Sequence, residues 1–195
     1  TRYYGEQRGR RMAQRAIRDG KPLTYETYCQ YGEWVNTEEV KAQGLGNQSE
    51  TTSLSPDFQI HIHVCPWHTQ FKNMGLPEAG LLYCKDLDAS ISRGFNPDIR
   101  YEVPQTLHTH DHCVQIVRNA GLTPEKKIEK YMPGVRSFEY HCAHTFWSLR
   151  EVSEGIFGDE GVKASDAVLE DFAKEYGREM ADTIADYKDT NFNMA

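Results

Sequence analysis

The sequence lacks any long apolar run. A membrane-spanning helix needs about 20 mainly apolar residues, and no stretch of the 195 residues approaches that length. The first residues are rich in arginine and have no apolar stretch behind them, so the pattern of a secretory signal is missing as well. From these two absences we expect a cytoplasmic protein that has no membrane partner.

Closely spaced cysteine pairs are also missing. The five cysteines include no Cys-x-x-Cys pair, so neither a zinc ribbon nor a thioredoxin-like motif is supported. Their number is odd, and a protein without a secretory signal is expected to stay in a reducing compartment. We therefore expect free thiols rather than a disulfide framework.

An excess of basic residues is absent. The formal net charge of −7 argues against nucleic acid as a partner. The charge is uneven, because residues 1–21 carry seven Lys and Arg against two acids, and residues 151–195 carry twelve acids against four Lys and Arg. The two ends are expected to be solvated helix faces, or to pair with each other within one subunit or across a homo-oligomer.

The spacing of apolar residues predicts an α+β fold. Phe58, Ile60, Ile62 and Val64 alternate with polar residues, which is the spacing of a strand with one apolar face. Shorter alternations follow, and strands this close in sequence pair most simply in antiparallel fashion. The expected result is a small antiparallel sheet with strands around 58–65, 98–104 and 112–118.

Helical spacing dominates both ends of the chain. We expect a helical N-terminal segment over 1–42 and a helical C-terminal segment over 138–190, both packed with the sheet. Residues 43–56 are polar, rich in Gly and Ser and without a period, which predicts a loop. The length favours one domain over 1–195.

Histidines and cysteines concentrate near the predicted strands. His63 and Cys65 occupy alternate positions and are expected to share one strand face, where His63 can accept a proton from the thiol. Cys65 also precedes a predicted helix, whose N-terminal N–H groups lower the pKa of a thiol. Cys65 is therefore expected to be the most reactive thiol, and the alternative is a small buried packing residue.

Two further motifs carry residues of chemical interest. Cys84 and Asp88 are four apart on a predicted helix and share a face, whereas Asp86 points elsewhere. His108 and His110 precede Cys113 in a histidine-rich turn, which suits zinc or another divalent metal. The alternatives are a buried cysteine beside solvated acids and a surface loop.

The stretch from Phe58 to Val117 resembles the central region of the L-2-amino-thiazoline-4-carboxylic acid hydrolase family. The similarity covers about 60 residues, with a weaker similarity at Tyr140 to Trp147. The ordered elements that carry it are Cys65-Pro66, Cys84 followed by Asp86 or Asp88, Phe95-Asn96-Pro97, Leu107 and Cys113.

The resemblance implies a bacterial, cytoplasmic hydrolase whose partner is a small-molecule substrate and that needs no cofactor. The reaction of the family opens a cyclic amidine by adding water at the carbon between nitrogen and sulfur, which gives N-carbamoyl-L-cysteine. Such chemistry needs a nucleophile or an activated water, an acid for the leaving atom, and a cation for the substrate carboxylate.

The expected site combines these roles. The predicted catalytic residues are Cys65, Cys84 and Cys113, with Asp86 or Asp88 and with His63. The predicted substrate-binding residues are Arg93, Arg100, Asn96 and Trp67. One alternative replaces the thiol with a water bound to a metal at His108 and His110, and another is a ligand-binding or metal-binding domain without turnover.

Overall fold

The computed structural model describes residues 1–125 and 127–195. These residues form eight α-helices and one four-stranded antiparallel sheet, which confirms the predicted α+β class. They divide into two compact units, one formed by Thr1–Val135 with Ala195 and the other by Arg136–Met194. No helix among the described residues is long and apolar enough to span a membrane.

The first unit contains the sheet and five of the helices. The helices are α1 (Arg2–Arg18), α2 (Tyr25–Tyr31), α3 (Glu38–Ala42), α4 (Pro66–Asn73) and α5 (Pro77–Phe95). Helix α2 begins after Thr24, whose hydroxyl accepts a hydrogen bond from the backbone N–H of Thr27 at 3.3 Å. This bond satisfies one of the free N–H groups at the helix start.

Helices α1 and α5 pack closely against each other and form the main core of this unit. A Cβ atom at Gly9 of α1 would lie 1.9 Å from the carbonyl oxygen of Ile91 in α5, so only glycine permits this approach. Apolar side chains fill the space beside the crossing, and buried apolar surface of this kind is the main stabilising term in folding. The buried members are Met12, Ala13, Ala16, Tyr31, Ile91 and Phe95.

The sheet has the spatial order β1-β2-β4-β3, and all of its neighbouring strands are antiparallel. Its strands are β1 (Gln48–Ser53), β2 (Phe58–Val64), β3 (Tyr101–Gln105) and β4 (Cys113–Val117). Cys113 stands directly opposite Ile62 in the β2–β4 pairing. The predicted strands at 58–65, 98–104 and 112–118 are therefore present with small differences at their ends.

Strand β1 lies inside the segment that the sequence predicted as a loop. The prediction over 43–56 is wrong at Gln48–Ser53, because this is an edge strand whose residues are almost all exposed. An exposed edge strand buries neither face, so its sequence carries no apolar alternation.

A buried ion group ties α1 to the segment after α2. Glu33 accepts hydrogen bonds from Arg11 at 3.0 and 2.6 Å and from Arg15 at 2.6 Å. Glu33 and Arg11 are completely buried. Burial would raise the pKa of Glu33, but the hydrogen bonds and charges of the two arginines outweigh burial and lower it.

The second unit is helical. It contains α6 (Phe138–Phe157), α7 (Asp159–Tyr176) and α8 (Arg178–Ala185). Its core includes Ala143, Ile184 and Phe192, and the indole N–H of Trp147 donates to the carbonyl of Ile184 at 2.8 Å. The apolar period of the C-terminal segment is interrupted at Gly177, where a φ of 102° separates α7 from α8.

Candidate active site

The sheet and helices α1, α2, α4 and α5 enclose a cavity that contains four thiols, one of which belongs to Cys29 of α2. It has a volume of about 330 Å³, and Cys65, Cys84 and Cys113 all line it. A volume of this size is typical of a site for a small ligand. The structure thus brings together the three cysteines that the sequence predicted to share a site.

Helix α5 presents one continuous face to the cavity. Cys84, Leu87, Asp88 and Ile91 line it, and their spacing of three and four residues places them on the same side of the helix. Asp86 lies on another face and forms an ion pair with Arg2 at 3.1 Å. Of the two predicted acids, Asp88 is therefore the one in the cavity.

The thiol of Cys84 lies next to an imidazole. Its Sγ is 3.6 Å from Nε2 of His108, which is hydrogen-bonding distance for sulfur. The turn that carries His108 is held by Thr106, whose hydroxyl accepts the backbone N–H of His108 at 3.3 Å. Gly80, one turn before Cys84, makes room for the ring, since a Cβ there would lie 2.3 Å from Cε1 of His108.

The surroundings of His108 favour its neutral form. Burial and the nearby His68 lower its pKa below the ordinary value of 6.5, since both oppose a positive charge on the ring. The two rings meet edge to face with centres 4.8 Å apart. The Nδ1 atom of His108 is buried and has no hydrogen-bond partner among the described residues, which leaves Nε2 as the nitrogen that faces the thiol.

Burial raises the pKa of all four thiols that line the cavity, including that of Cys29 to about 11. It raises the pKa of Cys84 and of Cys113 to about 12, and the nearby Asp88 adds to both shifts. Burial also raises the pKa of Cys65, although the backbone N–H groups of His68 and Trp67 act in the opposite direction. The expected activation of Cys65 by the helix N-terminus is therefore outweighed by desolvation, and a thiol here needs a base to lose its proton.

His63 does not share a face with Cys65, in contrast to the prediction. In the β1–β2 pairing, Ser49 opposes Ile62 while Gln48 opposes Val64, so that His63 is an extra residue in β2. Such a bulge shifts the alternation of side chains by one position. Cys65 consequently returns to the face of Ile62, which lines the cavity, and His63 contacts Glu50 outside it.

The cavity also contains an acid whose pKa is raised by burial. Burial raises the pKa of Asp88, and this outweighs the charge of Arg8 and a hydrogen bond from the side chain of Gln115. That bond runs from Nε2 of Gln115 to Oδ2 of Asp88 at 2.8 Å. A raised pKa makes protonation of this carboxyl group easier, and in its protonated form it can donate a hydrogen bond or a proton inside the cavity.

Two cations that the sequence interpretation did not single out line the same cavity. They are Arg8 from α1 and Lys130. The Nε atom of Arg8 is buried and has no hydrogen-bond partner among the described residues. Lys130 donates to the carbonyl of Cys29 at 3.4 Å, and burial lowers its pKa. Nothing in their sequence positions links them to the thiols, since Arg8 belongs to an arginine-rich helix.

The predicted substrate-binding residues are divided between different places. Trp67 lines the thiol cavity and packs edge to face on Trp34, with ring centres 5.1 Å apart. Arg93 lies outside it and pairs with Glu6 at 2.8 Å. Asn96 and Arg100 line a second cavity beside the end of α5. Three of the four are thus not brought to the thiols.

The two predicted metal ligands are separated as well. His108 lines the thiol cavity, whereas His110 is exposed and its Nδ1 lies 2.8 Å from the hydroxyl of Thr109. In the part of the chain that the structure describes, no group of three or more His, Cys, Asp or Glu side chains could hold a metal ion.

Fold and cavity together define an α+β protein with a thiol and an imidazole in one small pocket. The family model for L-2-amino-thiazoline-4-carboxylic acid hydrolase matches residues 1–116. This is more than half of the chain, so the chain belongs to that family of hydrolases. Comparisons with curated proteins and with solved structures gave no match. The matched residues lie in the first unit and include Cys65, Cys84 and Cys113.

Proposed function

We propose that the cavity hydrolyses a small cyclic amidine that bears a carboxylate, with Cys84 as the nucleophile and His108 as its base. The observation that carries the proposal is the 3.6 Å contact between Sγ of Cys84 and Nε2 of His108. A buried thiol beside a neutral imidazole is the arrangement that activates cysteine for covalent catalysis. Membership of a hydrolase family supports the reaction class.

The first half-reaction forms a covalent adduct. Sγ of Cys84 bonds to the ring carbon between nitrogen and sulfur while the thiol proton passes to Nε2 of His108. The bond from this carbon to the ring sulfur then breaks, and His108 gives the proton to the departing sulfur. Asp88, whose pKa is raised, supplies a second acid in the same cavity.

The second half-reaction restores the enzyme. Water attacks the same carbon and transfers a proton to His108 as the carbon–sulfur bond to Cys84 breaks. The proton returns to the Cys84 thiol, and the product leaves as a urea with a free thiol. One water is consumed for each ring opened, and no other reactant is required.

Arg8 and Lys130 provide the positive charge that a substrate carboxylate needs. The unpartnered Nε of Arg8 is a donor that a carboxylate oxygen can satisfy, and guanidinium groups bind carboxylates through paired hydrogen bonds. In this proposal the two cations take the role that the sequence interpretation gave to Arg93 and Arg100, which lie outside the cavity.

The substrate class is tested by thiol release from paired cyclic amidines with and without a carboxylate. We expect turnover of the carboxylate-bearing ring and a KM that rises by about 10–100-fold in Arg8→Gln, which is what a hydrogen bond to a charged group is worth. Arg93→Gln is the matched control, because Arg93 pairs with Glu6 away from the cavity. Equal turnover of both rings, or an Arg93→Gln defect as large as that of Arg8→Gln, would contradict the assignment.

The acid side of the pH profile reports the state of His108. A base must be neutral to accept a proton, and the pKa of His108 lies below 6.5. We therefore expect kcat/KM to rise with pH and to reach half of its plateau below pH 6.5. His110→Gln, at an exposed position in the same turn, should leave this profile unchanged. If kcat/KM instead reached half of its plateau above the ordinary histidine pKa of 6.5, the role of His108 would be refuted.

The glycine beneath His108 is expected to control its position. A Cβ in Gly80→Ala would meet the ring edge of His108 and would lie 2.8 Å from Cγ of Phe71, so both rings must shift. A displacement of about 1 Å can cost roughly 100-fold in rate, so kcat should fall while the melting temperature changes little. The measurement is kcat together with thermal unfolding, and an unchanged kcat would show that the ring position is not critical.

A further inference from the structure

Asp88 gives the thiol cavity a carboxyl group that can accept further hydrogen bonds. Among the described residues it forms no ion pair, and one hydrogen bond reaches it, from Nε2 of Gln115 to Oδ2 at 2.8 Å. Glu33, another acid that lines the cavity, is already bound by Arg11 and Arg15. Oδ1 of Asp88 and the second lone pair of Oδ2 are therefore available to a ligand that donates hydrogen bonds.

The sheet fixes the way in which Asp88 is held. The hydroxyl of Tyr101 donates to Oε1 of Gln115 at 2.6 Å, and burial raises the pKa of Tyr101 well above its ordinary value, so the phenol keeps its proton. Since Oε1 of Gln115 faces Tyr101, its Nε2 faces Asp88. A carboxyl group held in this way is a preorganised acceptor for a ligand.

Asp88 stands one helical turn from the proposed nucleophile. Cys84 and Asp88 are four residues apart on α5 and both line the cavity, and residues at this spacing have Cβ atoms about 5–6 Å apart. An attacking Sγ approaches the central carbon of an amidine to about 3–3.5 Å. The nitrogens bonded to that carbon are then within hydrogen-bonding reach of the Asp88 carboxyl group.

The charges of the cavity complement a ligand that bears both an amidine and a carboxylate. Arg8 lies close enough to lower the pKa of Asp88, yet the two side chains form no ion pair with each other in the part of the chain that the structure describes. The guanidinium group of Arg8 is thus available to a carboxylate, and the carboxyl group of Asp88 is available to a cation.

We propose that Asp88 recognises the amidine group of the substrate, with its two oxygens accepting hydrogen bonds from the two amidine nitrogens. This inference rests on the proposed function and assigns the amidine end of the substrate, as Arg8 was assigned the carboxylate end. A protonated amidine presents two parallel N–H groups, as a guanidinium does, and paired hydrogen bonds of this kind to a carboxylate are strong.

The same pairing gives the amidine its activating proton. Burial raises the pKa of Asp88, so a carboxyl proton can pass to an amidine nitrogen as the pair forms, whereas an amidine that arrives protonated meets the ionised carboxylate. In both cases the amidine carries the positive charge, which makes its carbon easier for Cys84 to attack. Hydrolysis converts the amidine into a urea, whose nitrogens do not keep the extra proton, so the proton passes to Asp88 and the ion pair is lost. Asp88 therefore favours the substrate over the product.

The test compares two acyclic ligands of nearly equal shape, guanidinoacetate and ureidoacetate, by calorimetric titration. Both bear a carboxylate, but the first has a guanidinium group, with the paired N–H groups of an amidinium, where the second has a neutral urea. We expect the wild-type protein to bind guanidinoacetate about 10–100-fold more tightly, which is what hydrogen bonds to a charged group are worth. Asp88→Asn should lose this preference and still bind ureidoacetate, since an asparagine amide can donate to the urea oxygen.

Asp86→Asn is the matched control, because Asp86 is an acid of the same helix that pairs with Arg2 on another face, and its substitution should leave the preference unchanged. Equal affinity of the wild-type protein for the two ligands would overturn the proposal, and this comparison needs no substitution. A preference that survives in Asp88→Asn would overturn it as well. Neither ligand has a ring to open, so discrimination by Asp88 without hydrolysis of any cyclic amidine would support the amidine site and contradict the proposed reaction.

Discussion

Cys84→Ala is expected to lose ring-opening activity by about 10⁴-fold or more, as other enzymes do when their nucleophile is removed. The physical reason is that burial raises the pKa of Cys84 to about 12, so attack depends on proton transfer to His108 at the moment of reaction. His108→Gln should cost about 10²–10⁴-fold, the usual contribution of a general base. The measurement is kcat/KM by thiol release.

Cys65→Ala and Cys113→Ala are the matched controls for this prediction. Both thiols line the same cavity, and both are expected to keep most of their activity and a normal melting temperature. Cys65 is bonded by the backbone N–H groups of Trp67 and His68 rather than by an imidazole. If Cys65→Ala were inactive while Cys84→Ala retained activity, Cys65 would be the nucleophile.

Glu33→Gln is expected to destabilise the protein by about 3–5 kcal/mol, the usual cost of breaking a buried ion pair by removing one partner. Glu33 is the carboxylate between Arg11 and Arg15, and Glu33→Gln removes the negative charge that both buried guanidinium groups pair with. The melting temperature should therefore fall by roughly 10 °C. Urea unfolding monitored by circular dichroism measures it.

Glu38→Gln provides the comparison, because Glu38 forms an exposed pair with Lys41 and its substitution should change stability by less than about 1 kcal/mol.

The pH dependence of the free energy of unfolding adds a second check. Since the folded pKa of Glu33 lies below 4.5, its contribution is complete above that pH and disappears as the pH falls through the folded pKa. Glu33→Gln should lack this acid-side loss. Equal effects of the two substitutions would contradict the buried triad.

The sequence predicted those parts of the fold in which burial leaves a periodic pattern. Strand β2 was evident because Phe58, Ile60 and Ile62 face the interior while the residues between them do not. Strand β1 could not be predicted, because an exposed edge strand has no buried face to produce a pattern.

The sequence was also sufficient to predict that Cys65, Cys84 and Cys113 line one cavity. Cys65 and Cys113 lie at the ends of neighbouring strands, and Cys84 lies on the helix between them. The bulge at His63 was not predictable, because it depends on the pairing of β1, a strand with no sequence signal. One extra residue moved Cys65 to the cavity face and left His63 on the other.

Arg8 was missed for a different reason. It stands among several arginines of α1, and periodicity alone cannot tell which of them turns inward. Its place in the cavity follows from the close contact of α1 with α5, which depends on Gly9. Long-range packing of this kind leaves no local signature in a single sequence.

The most direct test of the central claim is mass spectrometry of the enzyme quenched in acid during turnover of 2-amino-thiazoline-4-carboxylate. Ring opening by Cys84 expels no atoms, so the adduct retains the whole substrate. We predict a peptide containing Cys84 that is heavier by the full mass of the substrate and that is absent from Cys84→Ala. Turnover with an unmodified Cys84, or an adduct on Cys65 or Cys113, would contradict the account.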